Sequence, residues 1–353
     1  MLLEGIFPAI ATPFYPDGRV YFRKLEHNVD RYSRTPVAGM VVLGSTGEAV
    51  MLGDDETRDV LRAAREASAA SKVLLAGIGR ESLRETLHLA EFAAAQLYDA
   101  VLVRTPHYYG PQMQPAAMLT YYRTLADHSP LPVVLYSIPK FTNYDLPVAI
   151  VAELAQHPNI IGIKDSSGSV ARIAELVAAT RNAPRRSVAV TPTFTAVTAR
   201  MLEESAIAQA DLVPLIMPGA DAVAAAIPAA PVPALRTRTK EVGFQVLSGA
   251  AETTLDSLEA GAAGAVLALA ACLPQACQEI YWAWKDNDTA LAREKQQRIL
   301  EASALVAGKY GIAGIKYACD LNGYYGGRPR LPLLPLEAAA QEEIAQALAT
   351  LRH

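Results

Sequence analysis

The feature of this sequence that most narrows its fold is an alternation, repeated along the chain, of a short apolar run with a longer amphipathic stretch. The runs at 5–12, 39–44, 72–79, 100–104, 132–138 and 159–164 carry few polar interruptions. That is the pattern of strands covered on both faces. Each is followed by apolar residues at helical spacing, over 22–32, 54–67, 82–96, 115–127, 147–156 and 169–180. The second of these stretches opens with Asp54, Asp55 and Glu56, acids suited to the positive end of a helix dipole. Strands alternating with helices pair in parallel through right-handed crossovers. Two further runs, 244–248 and 265–269, lie either side of a short helix at 253–260 and bring the βα units to eight. Eight units predict a (β/α)8 TIM barrel. A doubly wound open sheet is the alternative, and no Gly-x-Gly-x-x-Gly follows the first strand to support its dinucleotide-binding form.

The expected organisation is a barrel over 1–272, interrupted by an insertion at about 182–241, with a C-terminal helical region over 273–353. Additional helices are expected at 274–285, 289–307, 314–321 and 336–351. The insertion falls between helix 6 and strand 7 and is rich in Ala, Val and Pro, including Pro184, Pro192, Pro214, Pro218, Pro228, Pro231 and Pro233. It could hold a helix within 195–209; the competing reading makes 188–191 strand seven itself. Connections from helix to strand lie at the N-terminal face of such a barrel, away from the chemistry. An insertion this apolar is expected to fold against the barrel's base, its outer helices or another subunit; the alternative is a disordered loop.

With 51% hydrophobic residues the chain can bury a large core, yet no apolar run reaches the ~20 residues of a membrane span. A net charge of −4 without a basic block argues against nucleic acid. The three cysteines show no zinc spacing and the six histidines form no close pair, so neither metal nor cofactor is expected. The start of the chain, Met1-Leu2-Leu3-Glu4-Gly5, lacks the marks of a signal peptide. A reduced, cytoplasmic protein is the expectation.

Catalytic groups in a parallel barrel stand where the strands end. Here the ends read Gly44-Ser45-Thr46-Gly47-Glu48, Thr105-Pro106-His107-Tyr108-Tyr109, Tyr136-Ser137-Ile138-Pro139 and Lys164-Asp165-Ser166. Lys164, one of only nine lysines, follows Ile160-Ile161-Gly162-Ile163. Apolar walls around its stem would favour the free amine and make it a nucleophile toward a ketone; the plainer alternative is a lysine reaching the rim to pair with Asp165. Lys140 is the second candidate, in an expected loop. Ser45, Thr46 and Gly47 offer hydroxyls and backbone amides that suit a carboxylate. Tyr136 could carry a proton to or from a bound carbonyl, or be an ordinary rim tyrosine.

In this order the four segments resemble the dihydrodipicolinate synthase / N-acetylneuraminate lyase family of pyruvate-dependent class I aldolases. The resemblance implies a homodimer or homotetramer working on pyruvate and a small 2-oxo acid or aldehyde. It makes Lys164 the Schiff-base lysine and Tyr136 the proton shuttle. Ser45 and Thr46 then hold the pyruvate carboxylate and link the relay, and Tyr108 is lent to a neighbouring subunit's site. Dihydrodipicolinate synthases usually carry an arginine two residues after the strand-five proline; here that position is Phe141. The runs 133–139, 154–159, 164–166 and 323–327 resemble the 4-hydroxy-2-oxoglutarate aldolase branch, in which Ser166 would help hold the distal carboxylate, although Thr46 replaces an expected asparagine. Cleavage of 4-hydroxy-2-oxoglutarate to pyruvate and glyoxylate is therefore the first expectation. Dihydrodipicolinate synthase comes second, then a sugar-acid aldolase or dehydratase, and last a barrel that only binds a keto acid.

Overall fold

The computed structural model describes residues 1–209 and 235–351. In chain order its strands are β1 (Gly5–Pro8), β2 (Gly39–Val42), β3 (Val73–Gly77), β4 (Ala100–Arg104), β5 (Val133–Ser137), β6 (Ile160–Asp165), β7 (Arg186–Val190), β8 (Arg238–Val242), β9 (Gln245–Ser248) and β10 (Gly264–Leu267). Eight of them form one parallel sheet in the order β1-β10-β9-β6-β5-β4-β3-β2. A parallel bridge between Ala9 and Val41 joins its two edges, so the sheet closes as a (β/α)8 TIM barrel. Alternation sorts the side chains. Phe7, Leu75, Leu102, Val134 and Val266 fill the interior, while Ile6, Leu74, Val101, Leu135 and Ala265 pack outward under the helices.

Local chemistry fixes the helices around this core. Helix Asp54–Ala67 begins with three acids, and the Glu56 carboxylate accepts from the Gly53 amide at 3.2 Å. Helix Val170–Ala179 is capped by the Ser169 hydroxyl, which accepts from Arg172 N at 3.2 Å.

Strand β6 departs from simple alternation. Val133 pairs with Ile160 but Val134 pairs with Gly162, so Ile161 is an extra residue. This bulge resets the phase: Ile161 packs inside the barrel, Ile163 packs outside it, and Lys164 comes level with Tyr136.

The inserted segment forms no part of the barrel. Strands β7 and β8 pair antiparallel as a separate ribbon, from Arg186 opposite Val242 to Val190 opposite Arg238, and barrel strand seven is β9. This corrects the reading of 188–191 as strand seven. The ribbon lays Val188, Val190 and Val242 against Leu2. The Arg186 guanidinium donates to the carbonyls of Ile161 at 3.3 Å and Gly243 at 2.9 Å. Helix Ala199–Gln209 follows the ribbon's first strand, with Ala199 N donating to Asp99 Oδ1 at 3.0 Å. Arg200 donates to the Ser68 and Lys72 carbonyls. All these partners flank the N-terminal ends of strands, so the segment covers the barrel's base. The stretch 210–234, with Pro214, Pro218, Pro228, Pro231 and Pro233, lies outside the described residues.

Beyond β10 come helices Pro274–Lys285, Thr289–Ser303, Gly311–Leu321 and Ala338–Ala347. The expected helix over 289–307 changes at Ala304–Lys309 into a wider π-type turn, in which Tyr310 N donates five residues back to Leu305 O at 3.1 Å. Gly308 and Gly311, the latter at φ 56, interrupt regular helix there, and the next helix starts three residues before its expected start at 314. Among the described residues no helix is long and apolar enough to cross a membrane.

Candidate active site

The C-terminal ends of the strands surround a cavity of 510 Å³. Lys164 and Tyr136 stand side by side in its wall, both 4% exposed, on paired positions of β6 and β5. The Lys164 ammonium lies 4.0 Å from the centre of the Tyr136 ring. The Tyr136 hydroxyl is 3.3 Å from Ser45 Oγ. Ser45, Thr46 and Ser166 complete the polar lining near the lysine. An amine, a phenol and three hydroxyls around a dry lysine stem can attack a carbonyl, exchange protons and hold a carboxylate.

The turn Ser45–Gly47 is a single 3₁₀ turn, fastened by the Thr12 hydroxyl, which donates to Gly47 O at 2.7 Å. The hydroxyl that meets Tyr136 is that of Ser45; Thr46 lines the cavity and is buried. Gly47 lines neither this cavity nor its neighbour. Ser166 depends on Gly249, because a Cβ at Gly249 would lie 2.0 Å from Ser166 Oγ. The backbone supports the same corner: Ser166 N donates to Ser137 O at 2.9 Å and Gly249 N to Asp165 O at 2.7 Å. Asp165 faces the helices, where its carboxylate accepts from Arg172 Nε at 2.7 Å; it does not pair with Lys164.

Phe141 stands at the mouth, 53% exposed, beside Lys140. Both belong to a short helix, Pro139–Thr142, where a loop was expected for Lys140. A second cavity of 280 Å³ adjoins the first through Ser45 and Tyr136. Tyr108 is 76% exposed and lines neither cavity of its own chain, and its ring meets that of Tyr109 edge-on at 5.1 Å. The Glu81 carboxylate accepts from the amides of His107 and Tyr108 at 2.8 and 3.0 Å, and these bonds, with Arg104, hold its pKa below the usual value against the opposing effect of burial.

Sequence reasoning did not find the part played by the C-terminal region. Ile312, Ile315 and Tyr310 form one wall of the larger cavity, and Glu252 lies in it, accepting from the Ser303 hydroxyl at 2.8 Å. A buried ion pair, Glu48 with Lys316, connects this region to the Ser45–Gly47 turn. The only sequence signal was the position of Glu48 directly after that turn. Among the described residues no group of three or more His, Cys, Asp or Glu side chains is placed to hold a metal ion.

A closed parallel barrel with a buried lysine and a phenol at its strand ends defines a class of carbonyl-handling barrel enzymes. The profile of the Dihydrodipicolinate synthetase family matches residues 2–184 and 232–351. The chain belongs to that family, and it is a pyruvate-dependent enzyme of the class I aldolase type. A 4-hydroxy-tetrahydrodipicolinate synthase from Acidiphilium cryptum is 28% identical over 347 residues, covering 98% of each chain. An L-threo-3-deoxy-hexylosonate aldolase from Hypocrea jecorina is 29% identical over 351 residues, covering 98% of this chain and 94% of the relative. Among solved structures, a prophage protein of the dihydrodipicolinic acid synthase family from E. coli K12, in complex with pyruvate, superposes with a TM-score of 0.77 at 25% identity over 99% of both chains.

Proposed function

We propose that the chain cleaves a 4-hydroxy-2-oxo acid to pyruvate and an aldehyde, with 4-hydroxy-2-oxoglutarate, giving glyoxylate, as the first substrate to test. The observation that carries this reading is the Lys164 ammonium 4.0 Å from the Tyr136 ring, at the edge of the strand-end cavity. The Lys164 amine adds to the C2 carbonyl and water leaves, giving a protonated imine. Tyr136, backed by Ser45, gives up its phenolic proton to the hydroxide that leaves as that water, and the phenolate so formed takes the proton of the C4 hydroxyl. The C3–C4 bond then breaks, its electrons flow into the imine, and the aldehyde departs. The enamine takes a proton at C3, and water releases pyruvate from Lys164. Ser45 and Thr46 hold the C1 carboxylate, and Ser166 holds the distal one. Tyr108, exposed on its own chain, reaches a neighbouring subunit of a homodimer or homotetramer.

Phe141 favours cleavage over dihydrodipicolinate synthesis, because an uncharged ring occupies the place where that family branch carries a carboxylate-binding arginine. The synthase reading keeps one support: Lys140 lines the cavity and could take the aldehyde's carboxylate. A longer, hydroxylated sugar-acid substrate is favoured by a different observation, the 510 Å³ volume and the Glu252 and Ser303 oxygens in its far wall. Pyruvate release from 4-hydroxy-2-oxoglutarate and from 3-deoxy-2-oxo hexonates, run beside dihydrodipicolinate formation from aspartate semialdehyde, ranks the three. Cleavage of 4-hydroxy-2-oxoglutarate is expected to dominate, with Ser166→Ala weakening the dicarboxylate more than pyruvate. Efficient dihydrodipicolinate formation by the unsubstituted chain would reverse the order.

A further inference from the structure

The turn that carries Ser45 and Thr46 ends at Glu48, a non-glycine residue held in the left-handed region at φ 54. Its carboxylate is withdrawn from water. Oε1 lies 2.5 Å from Lys316 Nζ, with the two side chains 1% and 0% exposed, and Oε2 accepts from Arg330 N at 2.8 Å. Lys316 Nζ also donates to Arg328 O at 3.0 Å. The Phe14 ring sits between two cations, Lys316 Nζ and the Arg330 guanidinium, each 4.3 Å from its centre. Two residues before Phe14, the Thr12 hydroxyl holds Gly47 O from the other side. The backbone of Lys316 is itself fixed, since a Cβ at Gly326 would lie 1.9 Å from Lys316 O.

Burying two ions is costly, and an apolar pair of like volume often serves stability as well or better. A buried pair placed here needs a use other than stability, and its position supplies one. It joins the helix Gly311–Leu321 to the end of the turn whose Ser45 hydroxyl meets that of Tyr136. We propose that the Glu48–Lys316 ion pair sets the Ser45–Gly47 turn for the carboxylate of the 2-oxo acid, which makes Lys316, a residue lining neither cavity, a positioning residue for substrate binding. This rests on the reading of Ser45 and Thr46 as the carboxylate holders. Burial pulls the Lys316 ammonium below its ordinary pKa and the Glu48 carboxylate opposes that pull. The Lys316 charge therefore depends on Glu48.

The test is borohydride trapping of pyruvate across a concentration series, with thermal unfolding in parallel, on the unsubstituted protein, Lys316→Met, Lys316→Met/Glu48→Gln and Ser45→Ala. Lys316→Met leaves a buried carboxylate unpaired, so it should lower the melting temperature and raise the half-saturating pyruvate ~10-fold or more, as misplacement of a binding group does. The double variant removes both charges. It should regain most of the melting temperature yet keep the raised half-saturation, with the same maximal labelling at Lys164. A double variant with the unsubstituted half-saturation would overturn the proposal, because affinity would then follow stability alone. Failure of both Lys316 variants to fold would assign the pair to the fold as a whole and overturn it too. Ser45→Ala with unchanged half-saturation would instead remove the turn from carboxylate binding and sink the reading beneath.

Discussion

The two ends of the barrel bury charge in different ways. At the base, Asp99 is sealed, its side chain 1% exposed, and accepts from the amides of Leu74 and Ala199 at 2.9 and 3.0 Å. Arg200 spends its donors on the carbonyls of Ser68 and Lys72. The two side chains lie 3.9 Å apart as an ion pair while their hydrogen bonds go to backbone, and the inserted ribbon closes the surface. At the strand ends the charges meet in closer side-chain pairs, the buried Glu48–Lys316 and the partly exposed Arg330–Glu56 at 2.5 and 2.7 Å, while Lys164 and Tyr136 face a cavity. An addition at the base can be absorbed as structure. The C-terminal addition crosses the active end and becomes part of it.

The strongest way to break this contrast is at Tyr136. Tyr136→Phe removes a hydroxyl that makes a single 3.3 Å contact with Ser45. It should cut pyruvate release by about 10²–10⁴-fold, the usual worth of a positioned proton carrier, with little change in melting temperature. A small rate loss with a large drop in stability would make Tyr136 a structural rim residue. Arg200→Ala at the base should show the opposite pattern. It unpairs buried Asp99 at a cost of about 3 kcal/mol in urea unfolding while kcat stays near the unsubstituted value. A matching fall in kcat would couple the base to the site.

The smallest effects are in acid, where the two ends should differ in sign. The Glu56 carboxyl is held below its usual 4.5, chiefly by hydrogen bonds from Arg330. Its contribution to stability is present above that value and is lost as pH falls through the folded pKa. Burial raises Asp99 above its usual 3.8, so the folded state takes up that proton more readily and Asp99 softens acid unfolding. Urea midpoints between about pH 3 and 6 should fall less steeply in Glu56→Gln and more steeply in Asp99→Asn. Shifts of the same sign in both would contradict the assignment.

Much of this was legible in the chain itself. Periodicity located the eight barrel strands because each is an apolar run buried on both faces, and the Ala, Val and Pro content of 182–241 set that segment apart as an insertion, though not as an antiparallel ribbon. The direction in which Lys164 points was not legible. Straight alternation from Ile161 would turn Lys164 toward the helices, and only the bulge at Ile161 brings it inward. Gly162 within an apolar run was the available signal, since glycine inside a strand marks bulges and close backbone approach; a Cβ there would lie 2.3 Å from Gln245 O. The Glu48–Lys316 pair was also hidden. Its partners are 268 residues apart, from positions 48 and 316, and no local pattern links them. The π-type turn over Ala304–Lys309 escaped because only Gly308 and Gly311 interrupt an otherwise helical pattern there.

The central claim is that Lys164 carries the substrate covalently. Incubation of the intact protein with pyruvate and borohydride, followed by peptide mass analysis, tests it most directly. A single reduced pyruvyl adduct should map to the peptide containing Lys164, depend on pyruvate, and disappear in Lys164→Ala, which should also lose pyruvate release by about four orders of magnitude or more. An adduct on Lys140, or no adduct in a protein that still releases pyruvate, would contradict it.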